Sequence, residues 1–69
     1  EDTSTLIGLT DRETDVLRLL AEGKNNTEIA ESLNISMNTV KTHLKNVFQK
    51  LDVDDRTAAA LKAIRDRII

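Results

Sequence analysis

Residues Ser36–Leu51 read "SMNTVKTHLKNVFQKL", three lysines and no acid in a chain whose net charge is −2. On a helical wheel at about 100° per residue the stretch separates into three strips. Met37, Val40, Leu44, Val47, Phe48 and Leu51 form a continuous apolar stripe, the side such a helix buries. Beside it run Asn38, Lys41, Thr42, Lys45 and Gln49, all polar, and the third strip is Thr39, His43, Asn46 and Lys50. The segment carries +3, so the other residues of the chain sum to −5. An acidic chain that gathers its positive charge on one helix has the charge layout of a protein that touches nucleic acid with that helix. The plain alternative is a solvated helix surface, which is what most charge runs are.

The rest of the chain supplies the surroundings of that helix. With 69 residues, 39% of them hydrophobic, there is room for one small domain of three or four short helices and modest stability. Proline is absent and glycine occurs only at Gly8 and Gly23, so hydrophobic period decides the class, and it reads all-α. Thr10 with Glu13 makes a capping box, Val16, Leu17 and Leu20 form a stripe behind it, and Gly23 suits the exit near Glu22. Asn25 with Glu28 repeats the box for a short second helix carrying Ile29, Ala30 and Leu33, with Asn34 at its end. Ser36 caps the third helix, and Asp54 or Asp55 caps a fourth that runs from Arg56 to the C-terminus. "EDTSTLIG" reads as the end of a linker, so the expected layout is a linker remnant over 1–8 and a four-helix domain over 9–69.

A short helix, a tight turn at "NIS" (34–36) and a longer polar-faced helix make a helix-turn-helix unit. In such a unit the second helix enters the major groove, where lysine donates to guanine O6 and N7 and threonine offers a hydroxyl or a methyl. Other chemistry finds little support. There is no Cys and one His, no Gly-rich phosphate loop, and "DVDD" (52–55) lacks the sixth-position glycine of a calcium loop, so neither catalysis nor a metal or other cofactor is expected. No apolar run approaches a membrane span and no signal peptide opens the chain. A helical protein-interaction module and a sigma-factor promoter-reading domain remain as alternatives. On the fourth helix, Thr57, Ala60, Leu61, Ile64 and Ile68 are expected to face the core, and Ala59 and Ala63 lie one turn apart on another side. Small residues there permit close helix approach, although alanine is also simply the best helix former. Arg56 is expected to pair with an acid such as Asp52 or to hold a helix end.

The stretch "LTDRETDVLRLLAEGKNNTEIAESLNISMNTVKTHLKNVFQKLDVDDRTAAA" carries L-T-x-R-E, G-x-x-N-x-E-I-A, T-V-K-x-H and K-L-x-V-x-x-R-T in one order and spacing. In that order it resembles the LuxR-type helix-turn-helix domain of NarL/FixJ response regulators. Two positions depart from the pattern: Thr27 stands where Lys or Gln is frequent, and Asn25 where Ser or Thr is common. The resemblance implies a four-helix DNA-binding output domain of a bacterial transcriptional regulator in a two-component system. Lys41, Thr42 and Lys45, with Asn38 beside them, stand at its base-reading positions, the strip the wheel had separated. Thr39, His43, Asn46 and Lys50 are the candidates for DNA-backbone contact, with Lys24 and Asn26 near the second helix start; for His43 a solvated surface role is the alternative. The family's last helix is its dimer surface, which makes Ala59 and Ala63 the expected contact. Expected partners are duplex DNA with an inverted-repeat operator, a second copy of the chain, RNA polymerase, and an N-terminal receiver or sensor domain, all in the cytoplasm.

Overall fold

The computed structural model describes residues 8–66. Each helix begins where a side chain takes up free backbone N–H groups. Thr10 opens α1 (Asp11–Ala21): its hydroxyl accepts from the Glu13 N–H at 3.1 Å, and the Glu13 carboxylate accepts from the Thr10 N–H at 3.0 Å. Asn25 and Glu28 form the same reciprocal pair, at 2.8 and 2.9 Å, ahead of α2 (Asn26–Leu33). Ser36 opens α3 (Met37–Leu51), and Asp55, rather than Asp54, opens α4 (Arg56–Arg65) by accepting from the Ala58 N–H at 2.8 Å.

The first three helices close in the same way. Gly23, at φ 93°, lets the Lys24 N–H return to the Leu19 carbonyl at 3.1 Å and its own N–H reach the Leu20 carbonyl at 3.0 Å. Asn34 (φ 56°) and Asp52 (φ 57°) adopt the same left-handed turn without glycine. The returning bonds are Ile35 N–H to Ala30 carbonyl and Val53 N–H to Phe48 carbonyl, both 3.0 Å. In each case the residue after the turn, Ile35 or Val53, packs against the core. The Asn34 closure sets α2 and α3 in the helix-turn-helix arrangement expected from "NIS".

α3 touches all three other helices; α1 packs mainly on α4 and α3, and α2 mainly on α3. Val16, Leu17, Ile29, Val40, Val47 and Leu51 are essentially inaccessible, which places the core between α1 and the apolar stripe of α3 with Ile29 of α2 closing one side. Met37 departs from the stripe: it is the first residue of α3, at the open end of the unit, and is 39% exposed.

The fourth helix reverses the expected assignment of its faces. Ala59 and Ala63 are completely buried, while Leu61 and Ile64 are 62% and 58% exposed. Thr57 is exposed as well, and Ala60 is partly buried. The reason is the close packing of α4 on α1, where a methyl side chain lets two backbones approach and a leucine would hold them apart. Ala59 and Ala63 do use their small size for close helix contact, but inside their own domain, so they are not a surface for a second copy. The expected core position Ile68 lies outside the described residues.

Candidate nucleic-acid interface

Burying Val40, Leu44, Val47 and Leu51 leaves one side of α3 outside the domain. Asn38, Lys41, Thr42, Lys45 and Gln49 are all exposed on it, so the structure brings the expected base-reading residues together on one strip. The 15 residues of α3 carry no acid. Thr39, His43 and Asn46 are half-buried along the flank. Two hydroxyls are already engaged: Thr42 Oγ1 donates to the Asn38 carbonyl at 3.1 Å, and Thr39 Oγ1 lies 2.9 Å from Ser36 Oγ. Thr42 therefore turns its methyl and its acceptor lone pairs outward rather than its proton, a back-bond of a kind threonine readily makes within a helix.

Lys50 is not available as the expected phosphate contact. Its ammonium donates to Glu13 Oε1 at 2.5 Å and to the Gly8 carbonyl at 2.8 Å, which ties the end of α3 to the start of α1. Burial pushes the Glu13 carboxyl up, but the hydrogen bond from Lys50, the Thr10 N–H and the Lys50 charge together outweigh it and hold the group below its ordinary value. Glu13 is the one buried charged residue among those described, at 4% exposure, and the capping box and the ion pair converge on the same oxygen.

Of the two expected roles, Arg56 takes the one at a helix end and not the ion pair with Asp52. Instead of an acid it takes Asn26 Oδ1 and the Lys24 carbonyl, binding α4 to the entrance of α2. Nothing in the local sequence announces either tie, because the partners are 30 residues or more away along the chain. An open groove between α3 and the start of α4 is lined by Asn26, Lys41, Lys45, Phe48, Gln49 and Arg56, and also by Asp52, Asp54 and Asp55. It joins Asn26, from α2, to Lys41 and Lys45 of α3. Among the described residues no three His, Cys, Asp or Glu side chains are grouped to hold a metal, and no helix is long and apolar enough to cross a membrane.

Four helices with a helix-turn-helix at their centre, and a second helix of that unit whose outer strip is basic and polar, define a DNA-binding domain of a transcription regulator. Residues 8–63 match the family GerE, the bacterial regulatory proteins of the luxR family, and the chain belongs to that family. It is 54% identical over 61 residues to the transcriptional regulatory protein LiaR of Bacillus subtilis, covering 88% of this chain and 29% of LiaR. It is 46% identical over 61 residues to the response regulator protein VraR of Staphylococcus aureus, again 88% of this chain and 29% of the relative. The chain thus spans less than a third of the length of these curated relatives. Among solved structures, the response regulator ChrA of a heme-sensing two-component system superposes with a TM-score of 0.85 at 45% identity, over 90% of this chain and 31% of that one. The transcription factor GerE gives 0.78 at 37% identity, over 87% of this chain and 90% of its own.

Proposed function

We propose that this domain is the DNA-reading output module of a bacterial response regulator, acting in the cytoplasm and catalysing no reaction. In this reading α3 lies in the major groove. Lys41 and Lys45 donate to guanine edges, Thr42 meets a thymine methyl or a base donor, and Asn38 reads beside them. Thr39, His43 and Asn46 run along the backbone, with Lys24 and Asn26 reaching it from the entrance of α2. The observation that carries the reading is the joint exposure of Asn38, Lys41, Thr42 and Lys45 on an acid-free strip of a helix whose other side is core.

A single copy reads few base pairs, and the rest of the chain is acidic, so two copies on an inverted repeat with half-sites about one helical turn apart supply the specificity. The exposed Leu61 and Ile64 on α4 provide the surface for that pairing. A receiver domain N-terminal to the chain would carry the signal, and RNA polymerase would receive the output. The test is selection of duplexes from a random pool, followed by titration of the selected operator and a scrambled duplex across a range of salt. DNA reading predicts a steep negative slope of log affinity against log salt for both duplexes and tighter binding to the selected one. A salt-independent interaction, or none, rejects it.

A further inference from the structure

Arg56 stands at the first position of α4 with its guanidinium partly buried, and that one group makes two long-range bonds. Nη1 donates to Asn26 Oδ1 at 2.8 Å and Nη2 to the Lys24 carbonyl at 2.9 Å. These acceptors stand on either side of Asn25, the residue that opens α2, so one planar fork grips both shoulders of that turn. A guanidinium has only donors. The Asn26 atom turned towards it is therefore the carbonyl oxygen, and the NH2 end of the same flat amide points the other way. Among the described residues no acceptor takes that NH2 group, and no buried side-chain polar atom is left without a partner, so it meets solvent. It belongs to a residue that lines the same groove as Lys41 and Lys45.

We propose that Arg56 is a positioning residue for DNA binding: by holding Asn26 through Oδ1 it aims the Asn26 Nδ2–H donors at a phosphate of the duplex that α3 reads. This rests on the function proposed above and adds to it a residue that itself touches no DNA. An unrestrained amide has two ends of nearly equal size, one a donor and one an acceptor. Turned the wrong way it offers an oxygen to an anionic phosphate, and Arg56 removes that half of its orientations. Both Nη atoms of Arg56 are committed inward, so the guanidinium is the support of the contact and not the contact. Lysine cannot substitute, because an ammonium on a flexible stem is a point donor without the fixed fork that spans both acceptors in one plane.

The experiment uses the 69-residue chain and compares wild type, Arg56→Ala, Arg56→Lys, Asn26→Ala and the double variant Arg56→Ala/Asn26→Ala, each titrated with the selected operator and a scrambled duplex. Asn26→Ala and Arg56→Ala are expected to weaken both duplexes alike, by about three- to tenfold, the weight of one hydrogen bond. The double variant is expected to be no weaker than Asn26→Ala, and Arg56→Lys not to restore binding. In NMR spectra the Asn26 side-chain amide signals should shift on duplex addition in the wild type and stay unmoved in Arg56→Lys. Losses that multiply in the double variant, unchanged affinity in Arg56→Ala, or full rescue by Arg56→Lys each overturn the proposal. Should Arg56→Ala fail to fold, affinity and amide signals of Arg56→Lys decide by the same criteria. A wild-type chain that binds neither duplex rejects the functional reading itself and this proposal with it, an outcome distinct from any difference among variants.

Discussion

Replacing Lys50 by methionine keeps most of the aliphatic stem on α3 and removes only the ammonium that meets Glu13 Oε1 and the Gly8 carbonyl. The Gly8 carbonyl is at an exposed residue and water replaces the lost donor at little cost. Glu13 has no such recourse: its side chain is 5% exposed, and without Lys50 its charge keeps only Thr10. Breaking a fully buried pair costs about 3–5 kcal/mol. The Lys50 side chain is 33% exposed, so the pair is screened in part and the loss is set lower, at about 2–3 kcal/mol. In a domain of this size that lowers Tm by about 10–20 °C at neutral pH. The pH dependence carries a sign as well. In the wild type the Glu13 carboxyl lies below its ordinary value of 4.5, so its contribution is present above that value and is lost as pH falls through the lowered folded-state value. In Lys50→Met burial acts with only Thr10 opposing it, so acidification relieves the variant earlier than the wild type, and the gap in Tm narrows as pH falls and closes below the lowered value of the wild-type group, where both carboxyls are protonated. Thermal unfolding followed by circular dichroism from neutral to acid pH measures both. An unchanged Tm at neutral pH together with a DNA salt slope lowered by about one unit would return Lys50 to the phosphate backbone and refute the structural assignment.

Lys41→Ala or Lys45→Ala should cost about 1–3 kcal/mol on the selected operator and flatten the preference among operators in competition titrations; an equal loss on every sequence would move the reading face elsewhere. Val40→Asp or Leu44→Asp places an unpaired charge at a site that is 0% or 6% exposed, and circular dichroism should find the chain unfolded, since its whole stability is about 3–10 kcal/mol. Ala63→Glu should unfold it too, because that methyl is completely buried, whereas Leu61→Ser/Ile64→Ser should fold, bind one half-site as before and lose cooperativity on the full inverted repeat. A folded Ala63→Glu chain would restore the alanines to the surface.

The helix starts were legible because a cap and its partner lie three residues apart, so Thr10–Glu13 and Asn25–Glu28 announce themselves in any window that holds them. The outer strip of α3 was legible for a related reason: the wheel works where large apolar residues alone define the buried side, and Val40, Leu44 and Val47 do. On α4 that rule fails, since the buried contact is made by two alanines and the larger Leu61 and Ile64 remain outside. Side-chain size does not track burial there, because the close approach of α1 and α4 admits only methyl groups between them. The partners of Lys50 and Arg56 were hidden by distance along the chain, for no local pattern records which carboxylate or carbonyl a long cationic side chain will meet. Asp52 was hidden differently, because a left-handed aspartate at a helix end is uncommon and the surrounding "DVDD" reads as capping.

The closure at Asn34 depends on backbone groups between Ala30 and Ile35 and on one residue's left-handed turn. So short a span is a local contact, and helical domains rich in local contacts fold in about microseconds to milliseconds. The clamps from Lys50 and Arg56 span 37 and 30 residues and hold the far ends of α3 and α2. The turn between the two helices is thus closed locally and without help from the side chains at Asn38, Lys41, Thr42 and Lys45. Those four exposed positions can change at almost no expense to folding, so in the proposed reading a lineage of such domains can exchange one target sequence for another while inheriting the scaffold intact.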